Sequence, residues 1–127
     1  MDFNLDDKLK RQVDEIIEKL NFNHIKAKQV KVFRSIGSTS RARARIYAMP
    51  RIWQKALEIK PHYCIEFISE NFDHLSDNDK VKVMIHELMH IPKTFSGALT
   101  PHRGKGRRDQ VTSRMVNQLF KKYRKQC

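Results

Sequence analysis

The chain has 127 residues, of which 39% are hydrophobic and 31% are charged, and its formal net charge at pH 7 is +12. This length and apolar content predict a single domain over residues 1–127, and no run of 18 apolar residues predicts a membrane-spanning helix. The only two cysteines, Cys64 and Cys127, form no CxxC pair, which argues against a disulfide framework and a cysteine-built zinc ribbon.

The first twenty residues predict an amphipathic helix. Asp6 and Asp7 favour its start because acidic side chains stabilise a helix N-terminus. The same stretch lacks the short apolar core of a secretory signal, so we expect a cytoplasmic location. The apolar residues of the predicted helix recur at helical spacing: Leu5, Leu9, Val13, Ile16, Ile17 and Leu20.

Alternating residues in the next segment predict two strands joined as a hairpin. The first is marked by Val30, Val32 and Ile36, and GSTS at residues 37–40 predicts the turn. The second, RARARIYAM, is predicted to bury small residues on one face and to display guanidinium groups on the other. Its outward residues are Arg41, Arg43 and Arg45, and its inward residues are Ala42, Ala44, Ile46 and Ala48.

The second half of the chain predicts a short helix, a third strand and two longer helices. RIWQKALEIK fits a short helix best, and residues His62 to Ser69 predict the strand. Ser76 and Asp79 form a capping box that opens the next helix, which ends near Ile91 because Pro92 follows. Together these elements predict an α+β fold with a three-stranded or slightly larger sheet. The last helix carries an apolar stripe of Val111, Met115, Leu119 and Tyr123.

The motif HELMH, residues 86–90, predicts a metal site on the first of these longer helices. His86 and His90 are four residues apart and therefore share one helix face, where two imidazoles can bind the same zinc ion. Glu87 is then placed beside the ion as a general base that accepts a proton from the activated water. The spacing thus indicates metal-assisted hydrolysis.

A catalytic zinc ion usually has three protein ligands, and few residues after His90 can supply the third. His102 is the only later histidine and Asp109 the only later acid. The extended motif H-E-x-x-H-x-x-G-x-x-H is excluded, because Lys93 and Ser96 occupy its glycine and last histidine positions. We therefore predict His102 as the third ligand, with Asp109 as the alternative.

The segment HELMHIPKTFSGALTPHRG, preceded by YCIEFISENFDHL, resembles metallopeptidases of phage and archaeal type. These are zincin-like proteins distantly similar to SprT-like proteases, and the resemblance extends from about Ala42 to Tyr123. It implies a zincin-like α+β fold, a peptide or protein substrate, and a third histidine that matches His102. It also implies that the strand from His62 to Ser69 borders the cleft, where a peptide could add as a further strand.

Two features of the predicted mechanism remain open. The oxyanion needs a second donor besides the ion, and the candidates are Tyr47, Tyr63, Tyr123 and Arg103. The same chemistry would also serve a zinc hydrolase that cleaves other bonds.

The basic composition supports a different class of function, a zinc-stabilised module that binds nucleic acid, or a protease recruited to DNA. Arginines on the second predicted strand and a cationic cluster after His102 are the candidate phosphate contacts. They are Arg41, Arg43, Arg45, Arg103, Lys105, Arg107 and Arg108.

Overall fold

A computed structural model describes residues 1–101 and 111–127 of the chain. In these ranges no helix combines the length and hydropathy needed to cross a lipid bilayer. The strands are β1 (Asp2–Leu5), β2 (Val30–Ile36), β3 (Ala44–Tyr47) and β4 (Tyr63–Ile68). The helices are α1 (Asp7–Lys19), α2 (Arg51–Leu57), α3 (Ser69–Phe72), α4 (Asp77–Met89) and α5 (Ser113–Lys125), and a short 3-10 turn spans Ala27–Gln29.

The four strands form one mixed sheet in the order β1-β2-β4-β3. β1 is antiparallel to β2, β2 is parallel to β4, and β3 is antiparallel to β4. The α+β fold predicted from the sequence is confirmed, and it is consistent with a zincin-like architecture. The sheet has one strand more than the three predicted by residue patterns, because β1 was not foreseen.

The predicted hairpin between β2 and β3 is wrong, because β4 lies between these two strands. The connecting segment crosses the end of β4 and is held there by hydrogen bonds. Asn71 Nδ2 donates to the carbonyl oxygens of Ser40 and Ala42, and Ile68 N donates to Arg43 O. Local alternation identified both strands correctly, but it carries no information about the strand that separates them.

Helix α1 begins two residues after Leu5, which belongs to β1 and is 66% exposed. The Asp6 side chain accepts a hydrogen bond from Leu9 N at 2.9 Å, so it caps the helix. Four apolar residues of α1 are buried in the main core: Leu9, Val13, Ile16 and Ile17. The predicted amphipathic helix is therefore confirmed, with a later start.

The main core lies between one face of the sheet and the longer helices. β2 contributes Val30 and Val32 to it, and β4 contributes Tyr63, Ile65 and Phe67. Helix α4 adds Met84, Ile85 and Leu88, and Ala44 and Ile46 of β3 pack against its margin. This arrangement places β3 and α4 next to each other.

The predicted helices of the second half are confirmed with adjusted bounds. Ser76 Oγ accepts from Asp79 N at 3.2 Å and caps α4 as predicted, and His90 forms the C-terminal cap. The predicted apolar stripe of the last helix is only partly buried. Val111 is buried but lies before the helix begins, and Met115 is 39% exposed. The buried residues of α5 are Val116 and Tyr123.

Candidate metal centre

The last two turns of α4 carry the three residues of the predicted site. Its apolar face, with Met84, Ile85 and Leu88, is fully buried in the core and fixes the rotation of the helix. Glu87 and His90 are only 6% and 5% exposed, whereas His86 is partly exposed. Packing of the apolar face therefore presents both histidines and the carboxylate toward β3 and the segment after the helix.

The ring of His90 is oriented by a backbone contact with Thr100. His90 Nδ1 lies 2.5 Å from Thr100 O, and Thr100 N donates to His90 O at 2.7 Å. A carbonyl oxygen can only accept, so the imidazole carries its proton on Nδ1 and leaves a lone pair on Nε2. Metal-binding histidines typically make such a contact, because a hydrogen bond from one ring nitrogen fixes the tautomer and leaves the other nitrogen for the metal.

The Nε2 atoms of His86 and His90 lie 3.3 Å apart. Two nitrogens bound at about 2.0–2.1 Å to one tetrahedral zinc ion would be about 3.3–3.4 Å apart, so the pair fits a shared ion. The same distance also suits an N–H···N hydrogen bond between the two rings. The potential ligand atoms of His86, Glu87 and His90 all lie within 4.8 Å of one another.

Glu87 lies between two cavities, both of which it helps to line. The larger, of about 440 Å³, is bordered by α4, α5 and the segment leading into β3. The smaller, of about 360 Å³, is bordered by β3, His90 and residues 99–101. Ala44 lines both cavities as well, so they lie side by side along β3 and meet at Ala44 and Glu87; together we call them the cleft.

Burial raises the pKa of Glu87 from its usual 4.5 to about 7. The physical cause is desolvation, since removal from water disfavours the charged form of a carboxyl group. This carboxyl group therefore keeps its proton to a higher pH than an exposed glutamate does.

Several predicted residues lie outside the described parts of the chain. These are His102, Arg103, Lys105, Arg107, Arg108 and Asp109. The described chain stops and resumes beside the site, since Pro101 lines the smaller cavity and its carbonyl oxygen accepts from Val111 N at 3.1 Å.

The three tyrosines considered as oxyanion donors are engaged elsewhere. Tyr47 Oη donates to Glu66 Oε1 at 2.5 Å, on the sheet face opposite the core. Tyr63 Oη accepts from Gly97 N and donates to Ala98 O, both at 2.8 Å. Tyr123 Oη lies 3.4 Å from Glu15 Oε1. None of the three lines either cavity next to Glu87, so we propose none of them as the oxyanion donor.

The strand predicted to border the cleft is also corrected. β4 pairs with β2 on one side and β3 on the other, so it has no free edge at which a peptide could add. β3 is the edge strand of the sheet at this side. Sequence analysis also missed Thr100, because a backbone carbonyl that orients a histidine leaves no signal in residue type.

Comparison with models of known protein families identifies a family for this chain. The model of the family described as "Putative phage metallopeptidase" matches residues 1–123. No curated protein and no solved structure matches the chain.

Proposed function

Because the chain belongs to the family described as "Putative phage metallopeptidase", we propose that it is a zinc-dependent peptidase with Glu87 as general base. His86 and His90 are proposed to hold the ion. The observation that carries this proposal is the 3.3 Å separation of their Nε2 atoms, together with the Thr100 carbonyl that keeps the His90 lone pair on Nε2. A protein or peptide is the substrate class that the family implies.

His102 is proposed as the third ligand, with Asp109 as the alternative. The support is proximity along the chain, since His102 follows Thr100 by two residues and directly follows Pro101. Thr100 is hydrogen-bonded to His90 through both its amide N–H and its carbonyl group. Pro101 and Glu87 line the same cavity. We propose that this short separation along the chain lets the residue contribute to the same ion.

The chemistry that a bound zinc ion would supply is Lewis acidity, which polarises the scissile carbonyl group and the attacking water. The Glu87 carboxylate accepts the proton of that water and returns it to the leaving amine. Its position between the two cavities suits this role, because a substrate that fills both would place its scissile bond beside Glu87. The buried surroundings of Glu87 limit competing access of bulk water.

The substrate is proposed to bind along β3 as an additional strand. The bond from Ile68 N to Arg43 O shows that Arg43 directs its carbonyl group toward β4. Hydrogen-bonded and non-hydrogen-bonded pairs alternate in an antiparallel ladder, so the backbone groups of Arg45 and Tyr47 also point toward β4. Ala44 and Ile46 therefore direct their N–H and C=O groups to the free edge, where a peptide backbone would pair with them.

Nucleic acid as a partner stays a prediction, as does the cytoplasmic location. Arg41, Arg43 and Arg45 are exposed, as the phosphate-contact hypothesis requires. The lysine and arginines after His102 lie outside the described residues.

The test is to replace Glu87 with Gln and to compare zinc content with peptidase activity. Zinc-loaded parent protein should cleave a quenched-fluorescent peptide library, and a chelator should abolish this activity until zinc is restored. Glu87→Gln should keep its zinc but lose at least about 100-fold in kcat/KM, since general-base catalysis contributes that much or more.

Glu70→Gln is a matched control, because Glu70 is an exposed glutamate on α3 that lines neither cavity. It should cleave like the parent. Parent-like cleavage by Glu87→Gln would refute the assigned role, and zinc-loaded parent protein that cleaves no peptide would refute the peptidase proposal.

A further inference from the structure

The face of the sheet opposite the main core carries large apolar side chains that are partly exposed, whereas Ser35, Glu66 and Ile68 on the same face are buried. Register places Phe3 and Leu5 of β1, Phe33 of β2 and Tyr47 of β3 on this face. None of them belongs to the core cluster in which the helices pack. Phe3, Leu5 and Tyr47 are 49%, 66% and 41% exposed, and Phe33 is partly exposed. A solvated sheet face usually carries polar residues, so these side chains need another explanation.

Three of these residues are aromatic, and register arranges them along a diagonal of the sheet. Phe3 pairs with Ser35, two residues beyond Phe33 on β2. Phe33 pairs with Glu66, and Tyr47 pairs with Cys64, two residues before Glu66 on β4. With strands about 4.8 Å apart and a rise of about 3.3 Å per residue, successive Cα atoms on this diagonal are about 8 Å and 12 Å apart.

Positive side chains flank the diagonal on both sides. Lys31 lies two residues from Phe33 on β2, and Arg45 is on the same face of β3. Arg43 directly precedes β3 and continues this face, since its carbonyl oxygen accepts from Ile68 N. All three are exposed. Among the described strand residues of this face the only acid is Glu66, which is 2% exposed and accepts a hydrogen bond from Tyr47 Oη. The accessible charge of the face is therefore positive.

We propose that this open sheet face binds single-stranded nucleic acid. Unpaired bases would stack on Phe3, Phe33 and Tyr47, while Lys31, Arg43 and Arg45 would contact phosphate groups. The hydrogen bond to Glu66 fixes the Tyr47 ring in place, which lowers the entropic cost of stacking on it. An open four-stranded sheet with exposed aromatic residues is a general platform for such strands, and the net charge of +12 favours a polyanionic partner.

The proposal does not depend on a bound metal ion. The aromatic residues of this face line neither cavity beside Glu87, although Arg43 and Arg45 border those cavities as well. A duplex presents its phosphates but not the faces of its bases, so it would use only the positive charges. The structure therefore predicts a preference for single strands over a duplex of the same length and sequence.

The experiment is fluorescence polarisation with a labelled mixed-sequence oligonucleotide, as a single strand and as a duplex, at two salt concentrations. We expect tighter binding of the single strand, with affinity that falls steeply as salt rises. Phe3→Ala should weaken binding at least about fivefold, since stacking on one base contributes about 1–3 kcal/mol. Phe3→Tyr keeps an aromatic ring at this position and should bind the single strand as tightly as the parent does.

Two matched controls separate this face from general charge and general apolar contact. Trp53→Ala removes an aromatic side chain that is 57% exposed on α2, outside the sheet, and should bind like the parent. Arg45→Gln should weaken binding more than Arg124→Gln on α5, although both remove one charge.

Equal losses in the two arginine variants, or no effect of Phe3→Ala, would overturn the proposal. So would equal affinity for single strand and duplex. Binding of an acidic apolar peptide at this face, with no binding of oligonucleotides at low salt, would also overturn it and identify a protein partner instead.

Discussion

At the scale of single residues, the proposed chemistry depends on which atoms His90 has available. Its Nδ1 is occupied by Thr100 O, so only Nε2 can face an ion, and that atom lies 3.3 Å from His86 Nε2. The two nitrogens are thus held at a distance suited to a shared ion before any ion binds. Such preorganisation reduces the cost of ordering the ligands during binding.

Replacing His102 with Ala tests the third ligand. We expect zinc affinity to fall at least about tenfold, because loss of one of three ligands weakens the site more than loss of an outer contact does. Metal competition with a chromophoric chelator measures this change. His74→Ala, which removes an exposed histidine before α4, should leave affinity unchanged. A large loss in Asp109→Asn with none in His102→Ala would assign the role to Asp109.

Burial of Glu87 predicts a pH dependence of the stability of the metal-free protein. Its pKa is about 7 in the fold and 4.5 as the unperturbed value, so below pH 4.5 both states carry the proton. Between pH 4.5 and 7 the unfolded chain releases it first, and the free energy of unfolding falls as pH rises, by up to about 3 kcal/mol.

Urea denaturation in the presence of a chelator at pH 4.5 and pH 7.5 measures the effect. The Glu87→Gln variant cannot ionise at this position. Its free energy of unfolding, relative to that of the parent, should therefore increase from pH 4.5 to pH 7.5. Other groups titrate in both proteins and therefore cancel in the comparison. A constant difference between parent and variant would mean that the Glu87 carboxyl group is solvated in the fold.

At the scale of elements, β3 and α4 form the two walls of the cleft. β3 contributes the free edge, where the backbone N–H and C=O groups of Ala44 and Ile46 point away from β4. Helix α4 contributes the reactive side chains. Arg43 and Arg45 face β4 with their backbone groups, so they stay in the sheet when a peptide binds. A substrate in this cleft would use backbone hydrogen bonds for affinity and the two cavities for selection of side chains.

N-methylation of a cleaved peptide tests strand addition without any change to the protein. Each methyl group removes one N–H donor, and only alternate residues of an added strand direct their N–H groups toward β3. We therefore expect kcat/KM to fall at every second position and to change little between them. Uniform sensitivity along the peptide would contradict an extended strand paired with β3.

At the scale of the whole molecule, the site joins parts of the chain that are far apart in sequence. His86 and His90 belong to α4, Thr100 belongs to the following segment, and the cleft is completed by β3 and α5. An ion bound there would connect these parts in the folded state only. Metal binding is therefore expected to stabilise the entire fold.

Zinc at 100 times its dissociation constant should add about 2.7 kcal/mol to the free energy of unfolding and raise Tm by about 10 °C. Differential scanning fluorimetry with and without zinc measures the shift. His86→Ala should lose most of it, and His74→Ala should keep it. An unchanged Tm in zinc-loaded parent protein would mean that the ion is not bound at a folded site.

The helices were predictable because their signals are local. The Ser76 cap, the apolar residues at helical spacing from Val81 to Ile91 and the stop before Pro92 lie within one segment, so α4 and its HELMH motif followed from spacing alone. The strand order was not predictable, because the parallel pairing of β2 and β4 brings together residues about thirty positions apart. The short strand β1 alternates polar and apolar residues, but it has only four residues and its Leu5 also fitted the helical spacing of the next segment, so it was missed.

The sequence by itself determined the α+β class, the helix that carries His86, Glu87 and His90, and the positive charge of the β3 arginines. Only the tertiary structure decided that β3 borders the cleft in place of β4, that Thr100 orients His90, and that the tyrosines lie away from Glu87. It also decided that three aromatic side chains share the open sheet face. The physical reason is that residue spacing reports the period of one element, whereas neighbours across the sheet are selected by packing of the whole chain.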